Sequence, residues 1–311
     1  MIITVTPNPS VDRTLELDRV RRGEVLRATA TRTDAGGKGV NVTRALIANG
    51  ISSLAVLPLG GADGRLLRAL LEDGGIPHRA VPIRATTRSN VTLSEPSGAV
   101  TKINAPGDAL EPVELDALID ATVRSLPGAT WLVGCGSLPD GAPADLYATL
   151  TERAHAAGVA VAIDSSGAPL AAALEAEPDL VKPNLVELVE LVARPLDTID
   201  DIVAAAQQVR ARGAGAVLVS LGARGAVLVD AGTPHLAAPP RVVARSDVGA
   251  GDTLLAGFLA AGGTGADALR SAVAWGAAAV ALPGTSIPTP DVIDVGTVTV
   301  SSLADAADAR T

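Results

Sequence analysis

The segment SDVGAGDTLLAGF, Ser246–Phe258, sets three small residues, Gly249, Ala250 and Gly251, directly before one acid, Asp252, at the start of an apolar stretch. Backbone amides at a helix start, together with the helix dipole, suit an anion. Small residues let that anion approach the chain closely. A carboxylate in the same place repels a resting anion, so the two features make joint sense only in a reaction that uses both. Phosphoryl transfer is such a reaction. The amides would hold the migrating group while it carries spread negative charge, and Asp252 would accept the proton of the attacking hydroxyl. An ordinary aspartate cap after a glycine loop is the plain alternative, and the segment alone fits either.

Two further groups have chemically useful spacing. Asn184 and Glu187, in KPNLVEL, stand three apart and share a face if that piece is helical. TRSNVTL supplies Arg88 and Asn90, and TKIN supplies Lys102 and Asn104. On extended strands each pair shares a face. Two cations beside two amides suit a phosphate ester; surface charge is the competing explanation.

Two common nucleotide signatures are missing. The only Gly-Lys pair, Gly37-Lys38, is followed by glycine, so no P-loop is present. The run from Gly249 reads Gly-Ala-Gly-Asp-Thr-Leu and lacks the third glycine of a dinucleotide fingerprint. An acid inside such a loop would repel a pyrophosphate, which argues against a dinucleotide-dependent oxidoreductase.

The elements that must position these residues alternate between strand and helix. IITVT (2–6), SLAVLPLG (53–60), TWLVGCG, VAVAID, PDLVKPN, AVLVSLG and GAVLVD read as strands. KGVNVTRALIANG (38–50), GRLLRALLEDGG (64–75), TIDDIVAAAQQVRARG and the stretches 254–261 and 266–282 read as helices. Continuous apolar strands separated by amphipathic helices predict an α/β fold with a mainly parallel central sheet covered by helices on both faces. Thr14–Asp34 and Thr87–Gly107 are more polar and alternate. They are expected to form short antiparallel strands outside the main sheet, with a turn at EPSG. A small β lid formed by about 12–34 and 87–106 is therefore expected over the carboxyl edge of the sheet, where open α/β sheets bind ligands. The 311 residues, 48% hydrophobic, are read as a single domain spanning 1–311. The tail SSLADAADART is expected to be frayed or on the surface.

Composition narrows the partners. Net charge is −9 with no basic block, so nucleic acid and anionic membranes are poor partners. Aromatic residues make up 1% of the chain, which removes base stacking as a recognition mode. Cys135 is the only cysteine, which excludes disulfide scaffolds and thiolate clusters. It is expected to be a small core residue, and His78, His155 and His235 have no metal-ligand spacing. The start of the chain is strand-like and not a secretory signal, and no run approaches a membrane span. The expectation is a soluble cytoplasmic protein.

SDVGAGDTLLAGF and DAGGKGVNVTRAL (34–46), more than 200 residues apart, resemble the two signatures of the ribokinase-like (PfkB) carbohydrate kinases. NPSVD precedes them, and TKINAPG, GSLP, KPNLVEL and SLGARGAV fall between them in the family's order, so the resemblance covers essentially the whole chain. It implies a ribokinase-like fold, ATP and Mg²⁺, with Asp252 as catalytic base and Gly249, Ala250 and Gly251 as anion hole. It further implies Asp12, Gly36, Gly37, Lys38, Asn41 and Ser137 at the sugar. Lys182, Asn184, Glu187, Ser220, Gly222 and Gly225 would lie at the nucleotide, with Glu187 serving the metal through water. The segment Ala274–Thr285 would pack beside adenine. Arg88, Asn90, Lys102 and Asn104 resemble the phosphosugar branch of the family, which comprises 1-phosphofructokinases, tagatose-6-phosphate kinases and a minor class of 6-phosphofructokinases. The wording is most similar to the first, implying transfer from ATP to the C6 hydroxyl of fructose 1-phosphate. The other two are the rival enzymes, and a non-catalytic sugar-phosphate sensor is the rival of another class. Pairing of two lids into a homodimer is a further implication of the resemblance.

Overall fold

The computed structural model describes residues 1–303. The last part of the tail, 304–311, on which one expectation fell, lies outside the described residues. In chain order the first elements are β1 (Ile2–Val5), β2 (Ser10–Glu16), β3 (Ala30–Gly36), α1 (Lys38–Ala48), β4 (Ser53–Leu59), α2 (Gly61–Asp73) and β5 (His78–Pro82). Next come β6 (Arg88–Ser94), β7 (Val100–Ile103), α3 (Pro112–Val123), β8 (Trp131–Cys135), α4 (Leu146–Ala156), β9 (Ala160–Asp164) and α5 (Gly167–Ala173). The chain continues with β10 (Leu180–Val181), α6 (Leu185–Val192), α7 (Ile199–Ala211), β11 (Ala216–Ser220), β12 (Ala226–Val229) and β13 (His235–Ala238). It closes with α8 (Ala250–Ala260), α9 (Gly265–Val280) and β14 (Thr299–Ser302).

A ten-stranded sheet runs β14-β13-β12-β11-β10-β9-β8-β1-β4-β5. The strands from β5 to β11 are parallel neighbours, while β11 through β14 pair antiparallel. The sheet is therefore mainly parallel, as its unalternating apolar strands predict. One face is covered by α3 to α7 over a core that includes Ile3, Val161, Val217 and Tyr147. The other carries α1, α8 and α9 over Val42, Leu46, Leu255 and Phe258. Fully burying a side chain of Leu or Phe size contributes about 1.5–3 kcal/mol, and both faces are rich in such residues. Helices α8 and α9 approach closely because Gly257 has no side chain; a Cβ there would lie 2.6 Å from Cγ of Trp275.

A second, four-stranded sheet runs β3-β2-β6-β7. Its two hairpin-like pairs, β2 with β3 and β6 with β7, are antiparallel as expected from the alternation. The join between them differs: β2 pairs β6 in parallel, Asp12 opposite Asn90. The physical reason is connection length. More than 70 residues, including α1, α2 and two strands of the main sheet, separate the two strands, so no tight turn dictates their direction. Helix α2 also begins earlier than its leucine spacing suggests, at Gly61, with Asp63 in its first turn, where a carboxylate favours the helix dipole. No described helix is long and apolar enough to cross a membrane.

Candidate active site

The site lies beyond the carboxyl ends of the parallel strands, where short loops leave backbone and side chains free to converge. Strand β9 ends on Asp164, β8 leads into Ser137, β10 into Lys182, and β1 into Asn8. The second sheet closes from one side, and the start of α8 from the other.

Asp252 lies in the first turn of α8 and is buried. The preceding Gly249 takes φ +77°, a left-handed conformation that glycine adopts without strain and that turns the chain into the helix. The Ala250 amide reaches the Asp247 carbonyl at a long 3.3 Å, and Thr253 is the first to join the helical ladder, on Gly249 at 2.9 Å. Gly251 and Asp252 between them occupy helix positions whose amides lack an intrahelical partner. Asp252 Oδ2 accepts from Asn41 Nδ2 at 2.8 Å. Among the described residues nothing donates to its Oδ1. Burial, helped by the nearby Asp164 charge, pushes the Asp252 carboxyl up to about 6, against the pull of Lys38, the Asn41 bond and Lys182. A carboxylate poised near neutrality is the form a general base needs.

Asp164, fully buried, is the hub of the charges. Lys38 Nζ stands 2.7 Å from its Oδ1 and Lys182 Nζ 3.2 Å from its Oδ2. Burial alone would raise the Asp164 carboxyl; the two lysines outweigh it and hold it below the usual range. Lys38 also lies 3.5 Å from Glu187. Burial would lower its ammonium, but Asp164, Glu187 and Asp252 together keep it above its ordinary value. Lys182 is itself buried, and its Nζ sits beside Gly251. Two cations therefore flank the amides of the α8 start. Spacing arguments passed over Asp164, although an acid closing the apolar strand VAVAID at the carboxyl edge of a parallel sheet is a readable signal.

In the second sheet, Asp12 Oδ1 accepts from Ser10 Oγ at 2.7 Å and from Asn90 Nδ2 at 3.0 Å. Gly36 lies against the Asp12 carboxylate so closely that any Cβ would collide with it. Gly37, φ +116°, is the cap of α1. The run Gly36–Asn41 thus links Asp12 at one end to Asp252 at the other. Cross-strand register puts Ser10, Asp12, Arg88, Asn90, Thr92 and Lys102 on one face of the second sheet. Arg88 Nη1 donates to the Ala105 carbonyl at 2.9 Å, while its Nε is buried with no partner among the described residues. Lys102 is half-exposed and 3.6 Å from Asp247. Asn104 departs from the expected pairing: β7 stops at Ile103, so strand parity no longer governs it, and it is exposed. Ser137 Oγ accepts from Asn8 Nδ2 at 3.4 Å, and Asn8 also donates to the Pro106 carbonyl at 2.8 Å. Asn8 is a buried polar group that sequence reading missed.

Asn184 caps α6: its side chain accepts the Glu187 backbone amide at 2.9 Å while Glu187 Oε2 accepts the Asn184 backbone amide at 2.8 Å. This reciprocal cap accounts for both residues structurally, and the Lys38 contact is what ties Glu187 to the charged cluster. Ser220 ends β11 and bridges to Asn184. Gly222 and Gly225 lie in the turn that joins β11 to antiparallel β12. Cys135 is fully buried with its thiol pushed up by burial, which keeps it from acting as a nucleophile. Among the described residues no cluster of three His, Cys, Asp or Glu could cage a metal.

Residues 5–292 match the pfkB family of carbohydrate kinases. The chain belongs to that family. A 1-phosphofructokinase of Rhodobacter capsulatus is 38% identical over 310 residues, covering 97% of this chain and 98% of that one. The ATP-dependent 6-phosphofructokinase isozyme 2 of Escherichia coli K12 is 37% identical over 296 residues, 93% and 96% of the two chains. The crystal structure of Escherichia coli phosphofructokinase-2 with substrates and products superimposes with a TM-score of 0.87 at 36% identity, covering 94% of this chain and 96% of that one. As a pfkB kinase the protein is a phosphotransferase that takes ATP, and its ribokinase-like α/β fold is that of its structural neighbours.

Proposed function

We propose that this kinase transfers the γ-phosphoryl group of ATP to the C6 hydroxyl of fructose 1-phosphate, giving fructose 1,6-bisphosphate and ADP. The observation that carries the phosphosugar class is Arg88. It shares a sheet face with Asp12 and Lys102, and its buried Nε has no partner among the described residues. An orphaned buried donor is costly unless an acceptor arrives, and a phosphate oxygen is the acceptor that suits a guanidinium. The choice of the 1-phosphate follows the relatives that bear the name 1-phosphofructokinase at 38% and 40% identity.

In this reading Asp12 and Asn41 accept and donate hydrogen bonds to sugar hydroxyls. Asp252 takes the proton of the C6 hydroxyl as its oxygen bonds to phosphorus. The amides at the α8 start, flanked by Lys38 and Lys182, stabilise the charge that spreads over the transferring group. Ser220, Gly222 and Gly225 line the nucleotide. Mg²⁺ neutralises phosphate charge when it binds with ATP. With no acidic cage among the described residues, Asn184 and Glu187 would hold it through its water shell, which agrees with the reluctance of Mg²⁺ to shed water. The second sheet serves as the lid of a single 1–311 domain. Its opposite face carries Leu15, Val91, Leu93 and the half-exposed Ile103, and pairing of that face between two copies would cover it.

Phosphorylation of fructose 6-phosphate is the second reading. It is favoured by a solved neighbour, an Escherichia coli phosphofructokinase-2 in complex with fructose-6-phosphate, which is 34% identical with a TM-score of 0.86. A coupled ADP-release assay with ATP and Mg²⁺ separates the cases by comparing fructose 1-phosphate, fructose 6-phosphate, tagatose 6-phosphate and fructose. Highest kcat/KM on fructose 1-phosphate is the expected result. Highest kcat/KM on free fructose would overturn the phosphosugar class.

A further inference from the structure

We propose that Arg44 is a positioning residue for the catalytic base, acting through the orientation of the Asn41 amide; the proposal rests on the reading of Asp252 as that base. The two ends of an asparagine amide are nearly isosteric, so packing does not decide which one faces Asp252; hydrogen-bond partners do. Asn41 Nδ2 donates to Asp252 Oδ2 at 2.8 Å, and on its other end Arg44 Nη1 donates to Asn41 Oδ1 at 3.4 Å. Arg44 stands one helical turn beyond Asn41 on α1, and its Nη2 reaches the Thr285 carbonyl at 3.4 Å. The guanidinium thus spans α1 and the loop after α9.

The need for such a group comes from the chemistry. While Asp252 is ionised it prefers the NH₂ end of Asn41. Once it has taken the hydroxyl proton it can donate, and the amide oxygen becomes an equally good neighbour. A flipped amide would favour the protonated acid and oppose its return to base. Arg44 is charged throughout and can only donate, so it keeps Oδ1 turned away from Asp252 in both states. Arg44 lines a cavity of about 320 Å³ together with Ile47, Leu70, Ile76 and Ile287. Burial disfavours its charge, Asp34 and Asp12 favour it, and Arg32 opposes it.

Asp34 and Asp12 offer Arg44 a competing purpose, since they face each other across β2 and β3. If Arg44 only neutralised that pair, its loss would act on sugar binding. The test is a double-mutant cycle of Arg44→Met and Asn41→Ala, with kcat and KM measured for the phosphosugar and for ATP. Arg44→Met is expected to lower kcat roughly tenfold, the scale of one charge-assisted hydrogen bond, with the ATP KM within about twofold and any rise in the phosphosugar KM smaller than the fall in kcat. In the Asn41→Ala background it should cost nothing further, and Arg44→Lys should recover most of the loss. Losses that multiply in the double variant, or a raised sugar KM at unchanged kcat, would overturn the proposal. Should Arg44→Met not fold, Arg44→Gln runs the same cycle. Asp252→Asn serves as control: near-normal turnover there would sink the base assignment and this proposal together, whereas an inactive Asp252→Asn with multiplying Arg44 and Asn41 losses would sink this proposal alone.

Discussion

Asn41 Nδ2 lies 2.8 Å from Asp252 Oδ2, although 211 residues of chain separate the two. The contact joins the first turn and a half of α1 to the first turn of α8, the two helices that carry the family's distant signatures. Replacing the carboxylate by Asp252→Asn keeps the shape and removes the proton acceptor. Turnover should fall by three orders of magnitude or more, about 4 kcal/mol of transition-state stabilisation, with the phosphosugar KM changed only a few-fold. Steady-state kinetics on the best phosphosugar checks it; retained turnover would show that another group is the base.

The same substitution should stabilise the protein at neutral pH. The folded-state value of about 6 for Asp252 lies above the ordinary 3.8, so between about 4 and 6 the folded form holds a proton that the unfolded chain has lost. Its contribution to stability therefore declines as pH rises through that window, and above it the buried carboxylate is a net cost. Asp252→Asn removes that cost. Its Tm should exceed that of the parent by about 2–4 °C at pH 8, and the gap should close toward pH 4. An equal gap at both pH values would exclude a titrating carboxyl as its origin.

Turnover should rise with pH through about 6 and level off above, because only ionised Asp252 accepts a proton. A sugar phosphate ionises in the same range, so the assignment needs a variant. Asn41→Ala removes a bond that favours the carboxylate, and its acid limb should move to higher pH. A limb that stays in place belongs to the substrate.

Asp164→Asn should be costly to the fold. It leaves Lys182, buried at 4% side-chain exposure, without its partner, and loosens Lys38. Breaking a buried ion pair on one side costs about 3–5 kcal/mol, readable as a lowered urea midpoint. A midpoint within error of the parent would mean that water replaces the carboxylate without penalty.

Arg88→Ala and Lys102→Ala should raise the phosphosugar KM while leaving the ATP KM in place, Arg88 by more because its guanidinium is less exposed and carries the unpartnered Nε. Unchanged KM in both would remove the second sheet from phosphate recognition. Gly36→Ala should also raise the sugar KM, since its Cβ collides with the Asp12 carboxylate and must displace it.

Much of this was legible in the chain itself. Unalternating apolar strands between amphipathic helices dictate a parallel sheet covered on both faces, because such strands have no polar side to show to water. Small residues before Asp252 at a helix start dictate an anion-tolerant turn for the same local reason. Other features depend on partners remote in sequence, and no local pattern encodes them. The parallel join of β2 and β6 is set by how two distant segments meet. Asn104 lost its expected face because β7 ends one residue earlier. Asp164 became the hub only when β9, β10 and the start of α1 brought one carboxylate between two lysines, and Asn41 became the partner of Asp252 only when α1 packed against α8. Residue types and spacing follow from the covalent chain; the distances between charges, and hence how far burial shifts each one, arise only when desolvated groups are folded against one another.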